Sequence, residues 1–89
     1  MAIGVRLKEL RRAAGITRPA LARATAGVSE GYITHIERGD IGDPKTSTLI
    51  RIVRGLASIT GQPPMQVLEY LLQDALQNAD TNAPAGGGR

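Results

Sequence analysis

The stretch "VSEGYITHIERG", Val28–Gly39, is the part of the chain whose reading decides the fold. Wound as a helix, it puts Ile33 and Ile36 on one face and Glu30, Thr34, His35 and Arg38 around the other. Ser29 is a good N-cap and Gly39 a good C-terminal stop, so the spacing predicts a short helix between them. A helix that only filled a core would not need a glycine, a threonine and a histidine, each of which weakens it relative to alanine or leucine. The outward side chains therefore suggest a contact surface.

Reading outward, the punctuation divides the rest of the chain into four more helices. Ile3, Leu7, Leu10 and Ala14 recur at helical spacing, and Gly15 stands where a left-handed C-cap residue belongs. Thr17 caps a short second helix with Pro19 in its first turn and Leu21, Ala22 and Thr25 along it, ending near Ala26 and Gly27. After the loop "GDIGDPK", Gly39–Lys45, either Thr46 or Ser47 is expected to cap a fourth helix with Leu49, Ile52, Val53 and Leu56 inward and Gly61 at its end. Gly55 inside that helix costs about 1 kcal/mol relative to alanine, which predicts a close helix approach there. Pro63 and Pro64 open a fifth helix whose apolar residues, Val67, Leu68, Leu71, Leu72, Ala75 and Leu76, make a face wider than a small bundle usually covers. From Asn78 the composition turns to Asn, Asp, Ala, Pro and Gly, so residues 78–89 are expected to form a disordered tail and 1–77 one folded unit.

At 89 residues the chain has room for one small core and little room for a buried catalytic cleft, which favours a binding module. It has no cysteine, hence no disulfide framework and no thiolate metal site. No apolar run resembles a signal peptide or approaches the ~20 residues of a membrane span, so a cytoplasmic protein without membrane association is expected. His35 is the only histidine and has no partner ligand for a metal. Ser29 with His35 lacks a third orienting group, and Asp40 with Asp43 lacks a metal-loop pattern, so neither an enzyme nor a cofactor is expected. The charge is uneven: residues 1–38 hold seven basic against three acidic side chains, a balance of +4, whereas 39–89 hold four against five, a balance of −1. A basic N-terminal half suits a polyanionic partner, although a solvated arginine-rich surface gives the same count.

The order and spacing of "LKELRRAAGITRPALARA" (Leu7–Ala24), "GVSEGYITHIERG" (Gly27–Gly39) and "TLIRIVRGLA" (Thr48–Ala57) resemble the Cro and phage-repressor-like helix-turn-helix family, the XRE family, over roughly residues 3–72. The resemblance implies an all-α, five-helix DNA-binding domain that lays its third helix in the major groove, acting as a dimer on a palindromic operator. It implies a transcriptional regulator, expected to be a repressor, nucleoid-associated when bound. Scarce aromatics, Tyr32 and Tyr70 alone, argue independently for duplex over single strands. The rival expectation is a small adaptor or antitoxin acting through protein contacts of the fifth helix.

On this reading Glu30, Gly31, Thr34 and His35 are the base-contacting candidates. Glu30 can accept from a cytosine amine, or simply favour a helix N-terminus. Gly31 lets the backbone approach, Thr34 can touch a thymine methyl, and His35 can donate to guanine or to a phosphate. Arg18, Ser29, Arg38 and Arg12 are the phosphate candidates, Arg18 aided by the start of the second helix. Arg11 and Glu37 match a family ion pair that orients the third helix. Leu68, Leu71, Leu72 and Leu76 are the expected dimer interface. Three departures from the family pattern stand out. One extra residue lies before the third helix, Arg18 replaces a common glutamine, and the following loop is longer by about one residue and carries Asp40 and Asp43.

Overall fold

The computed structural model describes residues 2–82, and every regular element among them is helical. In chain order these are α1 (Ala2–Ala13), α2 (Arg18–Thr25), α3 (Glu30–Arg38), α4 (Thr46–Thr60) and α5 (Pro64–Asn82). The fold is the expected all-α, five-helix arrangement. Capping explains most of the boundaries. Thr17 accepts from the Ala20 amide at 3.2 Å to start α2, and Ser29 accepts from the Tyr32 amide at 3.1 Å to start α3. At the far end of α3, Gly39 takes φ 89° and donates its amide to the Ile36 carbonyl at 3.1 Å.

Two boundaries differ from expectation. Thr46 and Ser47 lie inside α4, and the cap position belongs to Lys45, which makes no side-chain cap bond. α5 runs to Asn82, past the boundary that composition suggests at Asn78. A helix already under way continues through single Asn and Asp residues at little cost per residue. The remainder of the expected tail, 83–89, lies outside the described residues.

One core joins all five helices. Leu7, Leu21, Ile33, Ile36, Ile52, Leu56, Val67 and Leu71 are the largest fully buried side chains. Two glycines set how closely the helices approach. A methyl group on Gly55 would lie 3.2 Å from the carbonyl of Ala24, so α4 rests on the end of α2 as the sequence predicts. Gly4, unremarked in the sequence, plays the same part between α1 and α3: a side chain there would overlap the Ile36 carbonyl oxygen. α5 is fastened to α1 by Arg6, which donates two hydrogen bonds to Asp74 at 3.0 and 2.9 Å. The same guanidinium sits 4.8 Å from the Tyr70 ring centroid, and the Tyr70 hydroxyl donates to Glu9 at 3.0 Å.

The turn between α2 and α3 passes through two consecutive positive-φ positions, Ala26 (φ 56°) and Gly27 (φ 145°). Thr25 pins this turn. Its buried hydroxyl lies 2.7 Å from the Ala22 carbonyl and 3.3 Å from that of Val28, and it accepts from the Val28 amide at 3.2 Å. Ala26 is the only non-glycine residue with positive φ among those described, a conformation that costs an L-residue about 1–2 kcal/mol. Ala26→Gly is therefore expected to raise the unfolding free energy by about 0.5–1 kcal/mol after the added chain entropy is subtracted. The corresponding rise in Tm is a few degrees, on the order of 4–8 °C per kcal/mol. A thermal melt that moves downward would contradict this account of the turn.

Candidate nucleic-acid interface

α3 divides its side chains as the sequence suggests. Ile33, Ile36 and Glu37 are buried, Glu30, Gly31, His35 and Arg38 are exposed, and Thr34 is half-buried. A methyl group on Gly31 would meet only the Ser29 hydroxyl oxygen, at 4.0 Å, so the glycine is not required by packing and leaves the backbone of the first turn bare. Ser29 accepts the cap hydrogen bond on its hydroxyl oxygen, leaving the hydroxyl hydrogen and one lone pair for any other contact. Thr34 donates its hydroxyl hydrogen to the Glu30 carbonyl at 3.0 Å, so what it has left to offer a partner is its methyl group and the acceptor lone pairs of its oxygen.

The orientation of α3 depends on a buried carboxylate. Glu37 has a fully buried side chain, and Arg11 grips it twice, from Nε at 2.7 Å and from a terminal nitrogen at 3.0 Å. Arg11 gives its remaining terminal nitrogen to the Ile16 carbonyl at 2.9 Å, so one guanidinium ties α1, the α1–α2 turn and α3 together. The ion pair implied by the family resemblance is thus present. A third member was not foreseen: Arg18 Nε donates to Glu37 at 3.0 Å. The position that suits a phosphate at the start of α2 instead faces an internal carboxylate, and about a third of the Arg18 side chain stays exposed. Burial pushes the Glu37 carboxyl upward, but the hydrogen bonds from Arg11 and Arg18 outweigh it and hold the group below its ordinary value of 4.5.

A carboxylate with a depressed folded value contributes its stability above 4.5 and loses it as pH falls through the lower folded value. Asp74, lowered by its hydrogen bond from Arg6, acts in the same direction. Melting temperature is expected to hold from about pH 7 to about pH 5 and to fall steadily below. A flat profile down to about pH 3 would show that Glu37 is not the charged keystone.

Arg11 and Arg18, with Lys8, Arg12, Thr17, Pro19 and Glu30, line an open cleft of about 430 Å³ beside the start of α3. This cleft gathers two phosphate candidates, Arg12 and Arg18, next to one base candidate, Glu30. Arg38 and His35 lie elsewhere, toward the end of α3, and both face Asp40. His35 Nδ1 is 3.0 Å from an Asp40 oxygen, and Arg38 Nε is 3.7 Å from the same oxygen. The hydrogen bond with His35 holds the Asp40 carboxyl below its ordinary value; burial opposes it, and the charge of Arg38 adds to the lowering. The loop aspartate therefore reaches back to the end of α3, an i to i+5 relation with His35 that helix periodicity does not reveal.

α5 requires one correction. Leu71 is buried in the core with Val67 and is not part of an open interface. Leu68 and Leu72 are half-buried and Leu76 is exposed, so the open row runs one position round the helix from Leu71. Met65, 74% exposed, extends that row and was missed, although it stands three residues before Leu68 and seven before Leu72. With Pro63, Gln66 and Glu69 these residues line a shallow apolar groove of about 470 Å³.

Among known families, a helix-turn-helix domain matches residues 2–63, which takes in α1 to α4 and stops short of α5. No curated protein and no solved structure matches significantly. No described helix is long and apolar enough to cross a membrane. The capped α2 and α3, the tight turn between them and the matched span agree, and the chain belongs to the helix-turn-helix domain family.

Proposed function

We propose that the protein is a sequence-specific, double-stranded DNA-binding transcriptional regulator, a repressor that works as a dimer and reads a palindromic operator through α3. The observation that carries this reading is the division of α3. One side is locked inward by Ile33, Ile36 and the Glu37 carboxylate, while Glu30, Gly31, Thr34 and His35 are left on the outer side of a nine-residue helix. A helix held that firmly is suited to present side chains to base edges, which demands a fixed register. The basic cleft at its start supports a backbone contact through Arg12 and the exposed part of Arg18. No catalytic step or cofactor enters this function, and the protein works in the cytoplasm, on the nucleoid when bound.

A second reading is favoured by the apolar groove of α5. If its occupant is a different protein, the chain is an adaptor or antitoxin and DNA contact is secondary. Salt separates the two, since phosphate contacts release counterions and docking of apolar helices does not. With three charged phosphate contacts, from Arg12, Arg18 and Arg38, duplex affinity should fall roughly 40-fold between 0.05 and 0.2 M salt, a log–log slope near −0.9 per contact. Fluorescence anisotropy on genomic fragments at those two concentrations measures it. An affinity that does not respond to salt would remove the DNA reading in favour of the adaptor.

A further inference from the structure

Asp40 immediately follows the glycine that ends α3, and its carboxylate turns back onto the helix to meet His35 Nδ1 at 3.0 Å. A carboxylate only accepts hydrogen bonds, so the bond requires the proton of the imidazole to sit on Nδ1. In the neutral ring that leaves Nε2 with a lone pair and no hydrogen. Nε2 lies on the opposite edge of the ring, and the side chain is 55% exposed. Among the described residues the ring has no second hydrogen-bond partner. Arg38 Nε stands 3.7 Å from the same Asp40 oxygen and adds a positive charge beside the carboxylate.

On the reading of α3 as the base-contacting helix, we propose that Asp40 is a positioning residue that decides what His35 reads. With Nδ1–H committed to Asp40, Nε2 accepts from an exocyclic amine in the major groove, adenine N6 or cytosine N4. It does not donate to guanine, as a histidine with the other tautomer or an imidazolium would. Asp40 touches no base in this scheme. It acts as the carboxylate partner of a metal-bound histidine does, by fixing tautomer and ring angle from behind.

The test is selection from a randomised duplex library with the full chain and with His35→Ala, Asp40→Ala and Asp43→Ala variants, each first shown by melting to be folded. Asp43→Ala removes the same charge from the same loop without touching His35. The unmodified protein should prefer adenine or cytosine about five- to tenfold at one position in each half-site, and the library reports which of the two. That preference should vanish in His35→Ala and in Asp40→Ala and persist in Asp43→Ala. If adenine is the preferred base, replacing it by purine, which lacks the N6 amine, should cost the same factor in the unmodified protein and nothing in Asp40→Ala. Guanine at the His35-dependent position overturns the inference. So does an Asp40→Ala variant that keeps the preference and gains general affinity to the same degree as Asp43→Ala, since the loop charge alone would then be acting. Binding of duplex by the unmodified protein with no base preference anywhere would instead remove the base-reading role of α3, and the role of Asp40 with it.

Discussion

Glu37→Gln is expected to lower the unfolding free energy by about 3–5 kcal/mol, the range found when one partner of a buried ion pair is removed. A domain of about 80 residues has roughly 4–12 kcal/mol in total, so the variant loses a large share of its stability. The substitution preserves size and leaves one oxygen able to accept from an arginine. It removes the negative charge that neutralises both Arg11, which is 9% exposed, and the Nε of Arg18. Arg11 then keeps only the Ile16 carbonyl as a full partner and remains charged in a largely buried site. The destabilisation belongs to the stranded cation more than to the lost bonds, and a second substitution separates the two. Pairing Glu37→Gln with Arg11→Met removes the cation while filling its space, and should recover about half of the loss or more. Urea unfolding followed by circular dichroism gives the comparison. A single-variant loss below about 1 kcal/mol would mean that solvent reaches the triad and that α3 is oriented by apolar packing alone.

Much of this fold is written locally. Thr17, Ser29, Gly39 and Gly55 each act through neighbours within one turn or through the absence of a side chain, and a reading of spacing finds them. What it does not find depends on which element lies across the gap. Arg18 at the start of a helix suits any anion, and only the fold reveals that the anion is Glu37, nineteen residues on. Gly4 is an ordinary glycine in a helical pattern until α3 crosses over it. Leu71 and Leu72 differ by a 100° turn of α5, and a broad apolar stripe does not say which edge meets the core. Asp40 reads as a loop charge because its two partners lie behind it, in the helix it has just left.

The corrected row on α5 makes the dimer prediction sharper. Met65, Leu68, Leu72 and Leu76 are spaced three, four and four residues apart, and their row spans about 16 Å of helix. Laid antiparallel against its own copy, such a row brings Leu68 opposite Leu72 of the second chain and Met65 opposite the turn before Leu76. Apolar side chains then cover the groove from both sides, with Glu69 at its edge. Two copies of α3 held in this way would face successive major-groove turns ~34 Å apart. Leu72→Glu combined with Leu76→Glu should therefore abolish self-association. It should also weaken operator binding by about 10²–10⁴-fold, because the second half-site loses its tethered partner. Met65→Glu with Leu76→Glu alters only the two most exposed members of the row and should act in the same direction while leaving the melting temperature nearly unchanged. Leu71→Ala is the contrasting variant. It empties part of the core, costs about 2–5 kcal/mol of stability, and should leave the association of the folded fraction intact. Sedimentation at tens of micromolar, with and without duplex, distinguishes these outcomes. A monomer under both conditions, with operator affinity unmoved by the glutamate pairs, would exclude α5 as the dimer interface.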